Sequence, residues 1–316
     1  MAALRSTSGL VHGVRLDGHG GGEQLDWNGV ASWRAEDGVA WVDLDYAAPD
    51  AERWLGFEAK LAPHTREALV AGDPRPRAEV RDDGILLIAR GVNLAEGAEP
   101  EDMVSLRVWI EAHRVITLRH RDVRALRIVG ESLSAGRGPT DAAGFLATLV
   151  DEIDDQVAAL EDAALGRDVA TPRGKIADLR RRAIALRRFI GPQREALARL
   201  AQLNVAWLPE SIRSRLRDAA DRQARTVDEL DAARDRAAVT HEELAARTDE
   251  LANRRLYVLS LVTTIFMPLS FLTGLLGVNV GGVPATSISW AFWGLCALLT
   301  VMAVGQLWLL RRMRWL

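Results

Sequence analysis

The sequence predicts an α+β membrane protein: a cytosolic α/β domain, a long helical stalk and two C-terminal transmembrane helices. Three observations predict it. Residues 256–278 pass without a charge, roughly 23 residues, enough to cross a bilayer's ~30 Å hydrocarbon core. A second uncharged run covers 288–310. Leu216, Gln223, Leu230, Ala237, Leu244, Leu251 and Val258 recur at every seventh position, the repeat of a helix packed along a seam. Well before these, residues 39–46 (VAWVDLDY) alternate apolar and polar as a half-buried strand does.

In chain order, residues 1–138 form the α/β domain. Its first 35 or so residues are Gly-rich and polar and read as a loosely ordered lead-in with a strand or two. Short helices fit 50–57 and 64–71, ahead of the Pro-punctuated stretch Asp73-Pro74-Arg75-Pro76. Residues 85–93 read as a strand. Residues 105–111 and 114–120 read as a hairpin with Leu106, Val108 and Ile110 facing one way. Residues 139–208 are helical. An acidic helix over 141–165 precedes a strongly basic one over 172–190, and Pro192 starts another at its favoured first turn. Arg180, Arg181, Arg182, Arg187 and Arg188 facing Asp151, Glu152, Asp154 and Asp155 suggest antiparallel helices held partly by charge.

The stalk covers 209–255. From Glu210 no breaker interrupts the helix before the membrane, so stalk and first span read as one helix of about 69 residues, roughly 100 Å long at 1.5 Å per residue. A helix of that length needs partners along its seam, and stalk motion is expected to couple to the first span. The first transmembrane helix is 256–278, the outer loop 279–287, the second helix 288–310 and the tail 311–316.

Arg254 and Arg255 precede the first span, Arg311, Arg312 and Arg314 follow the second, and 279–289 carry no charge. The positive-inside rule then puts both termini in the cytosol. No 7–15-residue apolar run opens the chain, so no signal peptide is expected. The formal net charge of −3, with 40 basic against 43 acidic residues, gives no sign of a nucleic-acid partner. Mean hydropathy near zero hides a split between a charged body and an apolar end. The single Cys296 excludes an internal disulfide framework. No nucleophile–base pair or Gly-rich phosphate loop supports an enzyme, and no cofactor is expected.

The first span carries the informative chemistry. At alternating spacings of three and four, Asn253, Leu256, Ser260, Thr263, Met267, Ser270, Gly274 and Gly277 share a stripe that is small or polar at most positions. Leu259, Leu261, Ile265, Phe266, Leu269, Phe271 and Leu275 fill the other faces. Small and hydroxylated residues allow close packing of membrane helices, and they also suit a wetted pore wall. Spacing leaves both readings open. Two helices cannot enclose a path, so a pore requires several copies of the chain.

Gly277-Val278-Asn279 closes this span, followed by Val280-Gly281-Gly282-Val283-Pro284. A GxN tripeptide ending the first of two C-terminal membrane helices resembles the CorA superfamily of divalent-cation transporters, and GVNVGGVP resembles its ZntB-type zinc-transporting branch. Position carries the resemblance, since Gly91-Val92-Asn93 repeats the tripeptide far from any span. Residues 100–106 (PEDMVSL), the basic helices and the terminal Arg311-Arg312-Met313-Arg314-Trp315-Leu316 also resemble that family. The resemblance implies a funnel-shaped cytosolic domain, a homopentamer in the inner membrane and zinc uptake coupled to protons. It implies a selectivity filter at Gly277, Val278 and Asn279, pore-facing Asn253, Met267 and Ser270, and a basic collar of Arg311, Arg312 and Arg314. Val278 stands where the magnesium branch has Met, and the outer loop lacks that branch's acids.

By spacing alone Asn279 reads as a helix C-cap; the resemblance makes it a ring of carboxamides meeting a hydrated ion, with Gly277 letting backbone carbonyls approach. Between 256 and 310 there is no His, Asp or Glu and only Cys296 as a soft ligand, so the path cannot chelate bare zinc. The ion is expected to pass hydrated, and proton coupling to use a water wire or cytosolic groups. Met267 is expected to gate by dewetting. His241-Glu242-Glu243 is not HExxH, because Ala245 replaces the second His; Glu242 reads as a solvated stalk residue or as a cation lure. The rivals are a CorA-like magnesium or cobalt channel and a membrane-tethered scaffold or signalling protein.

Overall fold

Alternating strands in the first part of the chain hydrogen-bond into one mixed sheet. In the computed structural model, residues 8–72, 75–93, 103–165, 173–277 and 290–312 are described. They fall into two units, Met1–Thr240 and His241–Leu316. In the first, β1 (Leu10–Leu16), β2 (Gly22–Gln24), β3 (Ala40–Asp45), β4 (Arg77–Arg81), β5 (Gly84–Gly91), β6 (Val104–Ile110) and β7 (Arg114–Arg119) run in the order β2-β1-β3-β7-β6-β5-β4. Only the β3–β7 pair is parallel among the paired strands.

Both faces of the sheet are covered, so its central strands are buried throughout and alternate between two cores. On one face Val42, Leu44, Leu86, Ile88, Ile116 and Leu118 pack with α1 (Trp27–Ser32), α2 (Pro49–Phe57) and α3 (Pro63–Val70) through Val30, Trp54, Leu55 and Leu69. On the other, Trp41, Leu87, Leu106, Val108 and Val115 meet α4 (Arg124–Ser134), α5 (Ala142–Leu165), α6 (Arg173–Leu200) and the start of α7 (Glu210–Leu276). Leu106, Val108 and Ile110 do share this second core. Gly84 must lack a side chain, because a Cβ there would lie 2.4 Å from the Trp109 ring. A third cluster joins Val157 and Leu160 of α5, Ala183, Leu186 and Ile190 of α6, and Val227 and Leu230 of α7.

Several expectations need correction. The lead-in holds the strand or two expected but is not loose over residues 8–35: β1 pairs with both β2 and β3, and Val14 and Leu16 are core residues. Pro192 does not begin a helix but lies inside α6. Its ring frees the Arg188 carbonyl and disfavours a helical preceding residue. That residue is Gly191, where no heavy atom would crowd even a Cβ, and fully buried Ile190 and Gln193 hold the helix through. Among the described residues the acids of α5 do not pair with the α6 arginines. Asp151 pairs with Arg215, and Asp154 with Arg222, both on α7, while Arg187 reaches Asp231. α7 spans 67 residues and stops at Leu276, slightly short of the expected end. α8 (Ala291–Arg312) is the second apolar helix.

Candidate functional site

The second unit contains the end of α7 and α8, and its surface is unlike that of a soluble domain. Leu256, Leu259, Phe266, Met267 and Phe271 are exposed, as are Phe292, Trp293, Val301 and Trp308 of α8. Both helices are long and apolar enough to cross a membrane. Residues 256–276 of α7 and 291–310 of α8 each rise roughly 30 Å, the thickness of a hydrocarbon core. A large exposed apolar surface of this kind marks contact with lipid or partner subunits.

The small and polar stripe has its own face. Asn253, Leu256, Ser260, Thr263, Met267, Ser270, Gly274 and Gly277 are all exposed. Leu261, Ile265, Leu269, Leu272 and Leu276 are half-buried, and at about 100° per residue they centre roughly 160° away from Met267. So the face covered within the chain is opposite the stripe. Thr263 and Thr264 donate their hydroxyls to the carbonyls of Leu259 and Ser260, both at 2.8 Å, and Thr273 to Leu269 at 3.0 Å. The stripe's hydroxyl at Thr263 therefore has its proton satisfied and leaves an acceptor oxygen outward. Pro268 stands inside the helix and cannot bond the Thr264 carbonyl.

Gly277 follows the helix in a turn, its N–H directed at the Thr273 and Gly274 carbonyls at 3.0 and 3.2 Å. A Cβ there would sit 3.0 Å from the Thr273 oxygen, so a glycine suits this close turn. Val278 and Asn279, the rest of the expected filter, lie outside the described residues, as does Arg314. Arg311 and Arg312 are exposed, Arg312 resting 5.4 Å over the Trp308 ring. Glu242 is exposed on α7. Among the described residues no three His, Cys, Asp or Glu side chains gather to hold a metal, and Cys296 is a half-buried thiol.

Further titratable groups with shifted or buried charges lie in the first unit, of which the sequence pointed to Asp154 alone. Glu161 of α5 is pushed up to about 7, first by burial and then by its hydrogen bond with Glu229 of α7. Burial also raises Asp154, against the pull of Arg222. Fully buried Asp43 accepts from Thr117 Oγ1 at 2.8 Å, Arg119 Nε at 3.0 Å and the His12 Nδ1 position at 3.0 Å. Burial works against the Arg119 charge, but Asp43 and Asp122 more than restore it and raise its pKa. Glu161 and Glu229 stand on different helices, far apart in sequence, so no spacing signal joins them as a pair.

A family model described as "CorA-like Mg2+ transporter protein" matches residues 36–312. The chain is 38% identical over 323 residues to the divalent cation transporter CmaX of Pseudomonas aeruginosa, covering 98% of this chain and 97% of that one. It is 36% identical over 312 residues to the zinc transport protein ZntB of Enterobacter sp. (strain 638), covering 95% and 94%. The solved structure of full-length CmaX superposes with a TM-score of 0.85 at 36% identity, covering 97% of this chain and 98% of that one.

Proposed function

Because the chain belongs to the CorA-like Mg2+ transporter family, whose members move ions and catalyse no reaction, we propose that it carries divalent cations, zinc by preference, through a pore formed by several copies. The supporting observation is the exposed stripe from Asn253 to Gly277 standing opposite the half-buried face of α7. Among the described residues nothing covers that stripe, and symmetric copies around one axis would bring it to a common wall. Five copies, as in the family resembled, leave room for a hydrated ion between them. The chain sits in the inner membrane with both termini in the cytosol and the GVN turn outside.

In this reading Gly277, Val278 and Asn279 form the filter and meet the ion through its water shell. Asn253, Leu256, Ser260, Thr263, Met267, Ser270 and Gly274 line the path, with Met267 as a hydrophobic constriction. Arg311, Arg312 and Arg314 form a collar at the cytosolic mouth, and Glu242 attracts cations to the stalk. Zinc is cargo rather than a resident cofactor. The transmembrane runs hold no carboxylate or imidazole, so symport would draw on a group such as Glu161, poised near neutrality.

Uptake of zinc and magnesium into vesicles, with and without a pH gradient, tests this for the parent and Asn279→Ala. The expected result is faster zinc than magnesium flux, a response to the gradient, and a fall of about tenfold in the variant, the change that ~1.4 kcal/mol of lost contact produces. Equal flux from both proteins would remove Asn279 from the filter. Magnesium outrunning zinc would make this a magnesium or cobalt channel. A zinc flux indifferent to pH would end the symport proposal, and no flux from either protein would favour a tethered scaffold.

A further inference from the structure

β6 carries a charge where its sheet neighbours are apolar. Arg107 sits between Ile88 and Leu118 in the register, yet its side chain is 1% exposed. One terminal nitrogen donates to the Ala71 carbonyl at 2.7 Å. Nε and the other terminal nitrogen, both buried, have no hydrogen-bond partner. The guanidinium lies 4.2 Å over the Tyr46 ring. A buried cation with open donors is costly unless something anionic completes it.

Arg107 lines a cavity of about 470 Å³ with Tyr46, Arg90, His120, Arg121 and Phe189, and among the described residues no carboxylate lines it. Ser105 also lines it, and its hydroxyl oxygen is buried without a partner. The cavity is therefore lined by three arginines, Arg121 at the exposed rim, and by two aromatic rings. Arginine forks match phosphate oxygens, and guanidinium planes and aromatic rings stack on nucleobases. The volume lies in the range of small-molecule sites and far exceeds a bare phosphate.

We propose that this pocket of the α/β unit binds a nucleoside phosphate, with phosphate oxygens on Arg107 and Arg121 and the base against the Tyr46 and Phe189 side. This goes beyond ion transport and rests on none of the pore assignments. The competing occupant is the chain itself, since residues 94–102 include Glu96, Glu99, Glu101 and Asp102.

The probe is ATP, titrated into the purified full chain in detergent with a chelator present, followed by calorimetry. Saturable binding at about 1 mM or below is expected, with inorganic phosphate weaker and adenosine weaker still. Arg121→Ala, at an exposed position, should weaken ATP about tenfold without unfolding the chain. Arg107→Lys keeps the charge but loses the fork and should weaken it at least as much. ATP affinities unchanged in both variants would overturn the proposal, as would adenosine binding as tightly as ATP. A parent that binds no ATP while Arg121→Ala lowers its melting temperature would give the pocket to the chain's own carboxylates, and that too overturns it.

Discussion

Along α7 one seven-residue repeat passes through two different environments. Leu216, Gln223, Leu230 and Ala237 are buried, whereas Leu251 and Val258, in the same register, are exposed. In the first stretch the repeat is answered by α5 and α6 of the same chain. In the second nothing among the described residues answers it, and from Leu256 onward the exposed surface is apolar. The repeat records a need for partners without saying whether they come from the same chain, another copy or lipid. Burial separates the cases, and it divides the molecule into a self-sufficient α/β unit and a second unit that requires its surroundings.

The sharpest break between these units should come from charge. Asp43 is fully buried beneath Arg119, which is 7% exposed. Asp43→Ala would strand that guanidinium with Asp122 alone, and removing one partner of a buried pair costs about 3–5 kcal/mol. Chemical denaturation of the full chain should show that loss in the α/β unit. Arg254→Ala, on the exposed part of α7, should leave the transition in place. Next in size, Leu230→Ala empties a fully buried heptad position and should cost about 2–5 kcal/mol. Val258→Ala in the same register should not move the transition of the α/β unit. Equal losses from Leu230→Ala and Val258→Ala would erase the distinction.

A smaller effect should appear as pH dependence. Glu161 is pushed up to about 7 from its ordinary value of 4.5, so between those values the folded chain binds more proton than the unfolded one. Stability from this group is present below the unfolded value and falls as pH rises through the folded one. Glu161→Gln should match the parent near pH 4.5 and exceed it above 7 by about 1 kcal/mol once solvent screening is allowed for. Melting temperatures across that range check it. A parent whose stability rises over the same window would contradict the burial of Glu161 against Glu229.

How much of this was readable in the sequence follows from the range of each signal. The uncharged runs, the heptad and the β6–β7 hairpin are local patterns, and each led to an element close to its observed bounds. α4 carries a local signal as well: Ala125, Leu126, Val129 and Leu133, all buried, stand at helical spacing. β4 (RAEVR) alternates over only five residues and is an edge strand with only Ala78 buried, so its signal is weak. Pro192 misled because tertiary packing outweighed a local breaker. The arginine partners of α5, the Glu161–Glu229 contact and the Arg107 cavity join residues far apart in sequence, and no spacing rule reaches them. Within the candidate pathway the stripe was legible from periodicity, and its exposure needed the coordinates.

The smallest expected change in stability is also the most discriminating for that stripe. Thr263 bonds its hydroxyl proton to its own helix at 2.8 Å, and it is exposed opposite the half-buried face. Thr263→Val keeps the shape and removes a bond the helix does not need, so folding should change by less than about 0.5 kcal/mol. If the stripe is a packing face, a methyl in place of the hydroxyl is harmless and flux through vesicles stays at the parent level. If it is a wetted wall, the outward acceptor oxygen is lost, water is held less well beside Met267, and flux falls severalfold while the melting temperature stays fixed. Unchanged flux in both Thr263→Val and Ser260→Ala would return the stripe to the packing reading and leave the pore without its wall.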